Sequence, residues 1–219
     1  MIAIRGLIWD VDGTLSDTLE ACVMGLQVAI ASHGGPTLAH DEIVAMFGPT
    51  EEGILMKVLG DVGDVAIETY LEEYARHHDD ADLDFPEVTA IVQRLALTPL
   101  PMGVVTGKGR RSAEITLERL GFVGTFDPIA TGSDTGSVKS IEISRIVASW
   151  GLDPGEVAYI GDAPTDVVEA RAAGVVPVSA AWHATADADR LAALGPAVVV
   201  SNARQLDLWL AEHLDGAYR

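Results

Sequence analysis

Short apolar runs recur along this chain, with helical patterns between them. The first covers Ile2 to Trp9 and stops at Asp10. Others cover Met102–Val105, Val157–Ile160, Val175–Ser179 and Ala197–Val200, and Pro128–Thr131 is a weaker one. Runs this short, rich in β-branched residues and lacking polar alternation, read as strands buried on both faces. Helical patterns fall at Ser112–Leu120, Ser140–Trp150, Pro164–Ala173, Asp187–Leu194 and Ala203–Leu214. Ser112 and Ser140 read as helix N-caps, and Gly121, Gly151 and Gly174 as helix stops. The alternation predicts an α/β fold, a doubly wound and mostly parallel sheet with helices on both faces.

One stretch breaks the alternation. Between about Asp17 and Leu83 no run reads as a strand, and Leu19–Ser32, Asp41–Phe47, Thr50–Leu59 and Val65–Arg76 have helical patterns. Gly34-Gly35-Pro36 and Gly60–Gly63 punctuate them. A helical insertion after the first strand is expected, with the polar stretch His77–Asp84 as the return hinge. The expected division is residues 1–16 with 84–219 as one domain and 17–83 as the other.

The chain has 219 residues and a formal net charge of -19. That charge leaves no basic footprint for nucleic acid and would be repelled by anionic membranes. An anionic substrate would have to meet local positive charge, and only three lysines exist: Lys57, Lys108 and Lys139. Cys22 is the sole cysteine, so no intrachain disulfide forms, and a buried, inert thiol is expected. Asp10 follows the N-terminus too closely for a signal-peptide apolar region, and no run approaches a membrane span. A cytoplasmic protein, monomer or homodimer, is the expectation.

The residues with chemistry sit where the predicted strands end. Asp10-Val11-Asp12-Gly13-Thr14 closes the first strand, and ligands bind at that end of open parallel sheets. Gly13 permits the turn that lets two carboxylates serve one site. Thr106-Gly107-Lys108 closes the second, with a hydroxyl and backbone N–H groups suited to a phosphoryl oxygen; its spacing does not fit a P-loop. Lys139 precedes the Ser140 helix, where its charge would sit over an anion. Gly161-Asp162 closes another strand, with Asp166 one turn into the following helix. Asp162 as a helix cap and Asp166 as a first-turn acid are the purely structural alternatives. Asp10, Asp12, Asp162 and Asp166 in one place would repel one another unless a cation neutralised them. An all-oxygen donor set favours Mg²⁺.

In order and spacing this set resembles the haloacid dehalogenase superfamily. Asp10 to Thr18 resembles the opening of its small phosphatases typified by phosphoglycolate phosphatase, with a Rossmann-like core and a helical cap inserted after the first motif. The resemblance implies that Asp10 attacks phosphorus and forms an aspartyl-phosphate. Asp12 would be the acid and base, its backbone carbonyl reaching the metal. Thr106 and Lys139 would hold the phosphoryl group, Asp162 would bind Mg²⁺, and Asp166 would support it. Many relatives have proline after the lysine of the third motif; here Ser140 follows Lys139, and Lys108 competes for the role. Gly107 and Lys108, with Thr50 and Glu51 from the cap loop Phe47–Glu51, complete the expected substrate contacts. The expected activity is hydrolysis of a small phosphorylated metabolite, phosphoglycolate-like or a sugar phosphate. A mutase of the β-phosphoglucomutase kind and a non-catalytic phosphate-binding protein are the alternatives. A phosphonate-cleaving relative would need a cap lysine, for which Lys57 is the sole candidate.

Overall fold

The computed structural model describes residues 3–80 and 83–214. Ile2 of the first expected strand, residues 81 and 82 of the expected hinge, and 215–219 lie outside the described residues.

Six parallel strands form the sheet: β1 (Gly6–Trp9), β2 (Met102–Val105), β3 (Ile129–Ala130), β4 (Val157–Gly161), β5 (Val176–Ala180) and β6 (Val198–Val200). Their order is β3-β2-β1-β4-β5-β6. The order reverses beside β1, and the crevice beyond the carboxyl ends of the strands at such a reversal is where open sheets bind ligands. β1 is the centre of the sheet. Trp9 lies in register with Val104 on one side and Ile160 on the other. The Asp10 amide carries that pairing one residue further, donating to the Ile160 carbonyl at 2.9 Å.

Side chains of β1 alternate between two cores, as the two-residue repeat of a strand requires. Leu7 and Trp9 join Val88, Val92, Leu206 and Leu210 on one face. Ile8 joins Ile143, Ile146 and Tyr159 on the other. The first face is covered by α5 (Pro86–Leu95), α6 (Arg110–Arg119) and α10 (Ala203–His213). The second is covered by α7 (Lys139–Trp150) and α8 (Pro164–Ala172), and α9 (Ala188–Ala193) precedes β6. Burying one large apolar side chain of this kind contributes about 1.5–3 kcal/mol. That is why strands this short are held firmly.

Between β1 and α5 the chain forms α1 (Leu19–Ser32), α2 (His40–Val44), α3 (Glu51–Leu59) and α4 (Gly63–Asp80), with no strand among the described residues there. These helices have a separate core of Leu26, Ile30, Ile43, Leu55, Tyr70 and Tyr74. Gly25 of α1 faces Tyr70, whose ring carbons would lie 3.0 Å from an added Cβ. The missing side chain lets α1 and α4 approach closely. None of the described helices is long and apolar enough to cross a membrane.

Several expectations are corrected. Gly109 and Val138, not Ser112 and Ser140, flank the starts of α6 and α7. Ser112 is buried within α6, where its hydroxyl serves Glu51. α4 runs on to Asp80, so the first half of the expected hinge, His77–Asp80, is helix, held where His78 packs edge-on against Tyr74. The chain returns through Leu83, whose carbonyl accepts from the Ser16 hydroxyl at 2.6 Å and the Asp17 amide at 2.8 Å. Leu55 of α3 is buried in the insertion's core, whereas its neighbour Met56 is 46% exposed. Helix α5 has no counterpart in the expectations, although Pro86 at its start and its apolar positions at 88, 91, 92 and 95 mark it.

Candidate active site

A cavity of about 320 Å³ lies over the carboxyl ends of β1, β2 and β4, between the sheet and the helical insertion. Asp10, Asp12, Thr106, Lys139 and Asp162 line it from the sheet side. Leu19, Cys22, Phe47, Pro49 and Ile54 line it from the insertion.

Asp10 is buried, and its Oδ2 accepts from Lys139 Nζ at 2.8 Å. The same ammonium donates to Asp166 Oδ1 at 2.7 Å. Lys139 opens α7 and spans two carboxylates from different elements. Asp166 receives two further donors, the Tyr159 hydroxyl at 3.3 Å on Oδ1 and the Ala163 amide at 2.9 Å on Oδ2. The second bond satisfies an orphan amide at the start of α8. Ala163, not Asp162, is the residue preceding the helix, which leaves the Asp162 carboxylate free of a capping role.

Carboxylate oxygens of Asp10, Asp162 and Asp166 lie within 4.8 Å of one another. Burial pushes Asp10 up to about 6; Lys139 opposes the rise and the Asp166 charge adds to it. Burial, followed by the charges of Asp166 and Asp10, pushes Asp162 well above the ordinary carboxylate range. One lysine does not balance three carboxylates. Asp10 Oδ1 is buried with no partner, and a buried unpaired carboxylate oxygen is costly. This all-oxygen, under-neutralised set fits a hard divalent cation. Gly13, at φ +72°, is required twice over: the turn is left-handed, and a Cβ there would collide with the Asp162 carboxylate.

Asp12 lies in a second group. Its Oδ1 accepts from the Thr18 hydroxyl and from Lys108 Nζ at 3.2 Å. The Lys108 ammonium lies 3.4 Å from Glu51 Oε1, 3.0 Å from Cys22 Sγ and 4.3 Å from the centre of the Tyr74 ring. The thiol is buried, as expected, and burial pushes it up to about 12, which keeps it protonated. Glu51 also accepts from the Tyr70 hydroxyl at 2.9 Å, the Ser112 hydroxyl at 2.8 Å and the Gly109 amide at 2.6 Å. Its carboxylate thus joins the insertion to the loop after β2. Thr50 makes a parallel junction: its hydroxyl donates to Asp134 Oδ1 at 2.5 Å while accepting from the Gly53 amide at 3.2 Å. Thr106 is buried at the end of β2, and its hydroxyl oxygen accepts from the Lys108 amide at 3.3 Å. Gly107 lines the cavity beside it, and Lys57 is exposed on α3.

The structure therefore brings Asp10, Asp12, Gly107, Lys108, Thr106, Lys139, Asp162 and Glu51 to one cavity, with Asp166 directly behind. It also adds residues that the motifs did not mark. His183 lines the cavity, with Nε2 2.7 Å from Asp17 Oδ1 and Nδ1 2.6 Å from Thr185 Oγ1. It follows β5 by three residues, so extending the strand-end rule to that run would have found it. Glu169 accepts from the Ser137 hydroxyl and the Ser140 amide, each at 3.0 Å, and so fixes the start of α7 that carries Lys139. Its place three residues after Asp166, on the same side of α8, was the available signal.

A family model described as haloacid dehalogenase-like hydrolase matches residues 7–180. The chain belongs to the haloacid dehalogenase-like hydrolases. A phosphoglycolate phosphatase of Yersinia pseudotuberculosis is 27% identical over 182 residues, 78% of each chain. A pyrophosphatase PpaX of Oceanobacillus iheyensis is 24% identical over 207 residues, 94% of this chain and 96% of that one. The fold matches that of a hydrolase from Pseudomonas syringae with a TM-score of 0.76 at 22% identity, covering 96% of this chain and all of the other. With this family and these relatives, the chain is an enzyme of the phosphoric monoester hydrolase class.

Proposed function

We propose that the chain is a Mg²⁺-dependent phosphatase that hydrolyses a small phosphorylated metabolite through an aspartyl-phosphate on Asp10. The observation that carries this reading is the under-neutralised group of Asp10, Asp162 and Asp166 bridged by Lys139 at the strand ends of one cavity. Asp10, Asp162, Asp166 and the Asp12 backbone carbonyl would hold the ion. When bound, it supplies positive charge that masks phosphate repulsion and supports charge developing on the phosphoryl oxygens.

Asp10 contributes the attacking oxygen, and the bond from phosphorus to the leaving oxygen breaks. Asp12 gives its proton to that oxygen, releasing an alcohol. Its carboxylate then takes a proton from the water that attacks phosphorus, which releases phosphate and restores Asp10. A positioned acid/base of this kind contributes about 10²–10⁴-fold. The Thr18 hydroxyl and Lys108 fix Asp12 Oδ1, so the other oxygen carries the proton. Between the two lysines, geometry favours Lys139 for the phosphoryl group, with Thr106 and Gly107 opposite, because it touches Asp10 itself. Residues 17–83 act as the cap over the core of 1–16 and 84–219, excluding water when the substrate is bound.

The test is phosphate release from p-nitrophenyl phosphate with and without Mg²⁺. Turnover that needs Mg²⁺ and disappears in Asp10→Asn supports the reading. Full turnover by Asp10→Asn removes the nucleophile assignment. Product analysis with a sugar phosphate separates hydrolysis from isomerisation.

A further inference from the structure

We propose that the site accepts phosphate esters of neutral alcohols with apolar surface, and discriminates against leaving groups that carry a second anionic group such as a carboxylate. The inference rests on the phosphatase reading above and narrows its substrate class.

The leaving group must sit on the insertion side of the cavity, because the sheet side is occupied by the reacting groups. That wall is built from Leu19, Cys22, Phe47, Pro49 and Ile54. Its charged member is Glu51, which is negative and already accepts four donors. Recognition of a carboxylate or a second phosphate calls for a bidentate arginine or a point charge aimed at it.

Among the described residues, the cationic side chains lining the cavity are Lys108 and Lys139. Both are committed. Lys139 spans Asp10 and Asp166, and Lys108 spans Asp12 and Glu51 with its side chain 1% exposed. His183 has both ring nitrogens engaged, by Asp17 and Thr185. The arginines next to Lys108 face elsewhere: Arg110 reaches Glu114 and the Ile129 carbonyl, and Arg111 pairs with Glu68. Lys57 is exposed on α3.

A second anion on the leaving side would therefore enter an apolar wall backed by carboxylates, lose its water and find no partner. Such a mismatch is the rejecting half of specificity. A neutral alcohol loses little on entering and gains contact with Phe47, Pro49 and Leu19.

Two matched pairs test this in the full chain with Mg²⁺: 2-hydroxyethyl phosphate against phosphoglycolate, and phenyl phosphate against 4-carboxyphenyl phosphate. The pairs differ at the far end of the leaving group, where one member carries a carboxylate. We expect kcat/KM to favour the neutral member at least about tenfold in each pair. Phe47→Arg, which puts a cation on a partly exposed cavity wall, should shift the first ratio toward phosphoglycolate by about tenfold. Equal or better use of the carboxylated members by the native chain overturns the proposal while leaving the phosphatase reading intact. An unchanged ratio in Phe47→Arg also counts against it. No turnover of any of the four, nor of p-nitrophenyl phosphate, would instead remove the reading on which it rests.

Discussion

Two buried groups of carboxylates and one lysine lie side by side in this molecule, and they are built to opposite ends. Around Lys108, the carboxylates of Asp12 and Glu51 meet hydroxyls of Thr18, Tyr70 and Ser112 and an amide of Gly109. Around Lys139, three carboxylates crowd together and Asp10 Oδ1 has no partner. The chain satisfies Glu51 by itself, so Glu51 with Lys108 serves as a joint between insertion and core and holds one oxygen of Asp12 in place. The second group lacks positive charge, which marks it as a place for a ligand. A count of acidic residues would not separate the two; the number of donors reaching each oxygen does.

The largest effect that distinguishes them is on turnover. Asp10→Asn should keep the fold and lower kcat by at least about 10³-fold, since it removes the attacking group. Steady-state phosphate release together with circular dichroism checks both halves. A variant that loses activity by unfolding would not support the distinction.

The converse change strikes stability. Glu51→Ala leaves the Lys108 charge buried beside Asp12 alone and strands the Gly109 amide and the Tyr70 hydroxyl. Breaking a buried pair from one side costs about 3–5 kcal/mol. Urea denaturation should show that loss, with Glu51→Gln less affected because it retains an acceptor. A Glu51→Ala variant as stable as the native chain would mean that the joint carries no energy.

A smaller effect should appear on adding metal. An ion that binds only the folded state at about 100 times its dissociation constant stabilises by about 2.7 kcal/mol. For a chain of this size that is a rise in Tm of roughly 5–10 °C. Mg²⁺ should give that rise in the native chain, EDTA should reverse it, and Asp162→Asn should abolish it. Equal responses in the native chain and Asp162→Asn would place the ion elsewhere.

How far the residues foretold this arrangement follows the same division. The Lys139 group was legible because each of its members ends a strand or opens the helix beyond, and strand ends are marked by a change from apolar to polar residues. Asp10, Asp162 and Asp166 needed nothing more than that rule and the parallel sheet. The Lys108 group was not legible as a joint. Glu51, Tyr70 and Ser112 come from three helices, and what brings them together is the docking of the insertion on the core. No local pattern encodes that. Ser112 shows the cost: a serine near an expected helix start reads as a cap, but it is the third residue of α6, buried with its hydroxyl on Glu51. His77–Asp84 read as a hinge because it is polar, yet His78 is buried at the same docking surface.

His78 also offers the finest test of that surface. It lies on α4 with its ring 5.0 Å from that of Tyr74 and Nε2 3.2 Å from the Thr116 hydroxyl oxygen. Burial, then the nearby charges of Lys108 and Arg119, lowers its pKa to about 4. An unfolded histidine titrates near 6.5, so below that pH the unfolded chain takes up a proton that the folded chain refuses until about pH 4. Stability from this residue is thus complete above pH 6.5 and is lost as pH falls toward 4. Between pH 7 and pH 5, after allowance for partial solvent screening, the loss is about 1 kcal/mol, or roughly 2–4 °C in Tm. His78→Gln keeps a polar group near Thr116 and cannot titrate. Thermal melts at the two pH values should show the native chain losing that much more than the variant. Parallel losses would mean that His78 is solvated when folded, and that the insertion meets the core less tightly at this edge than at Glu51.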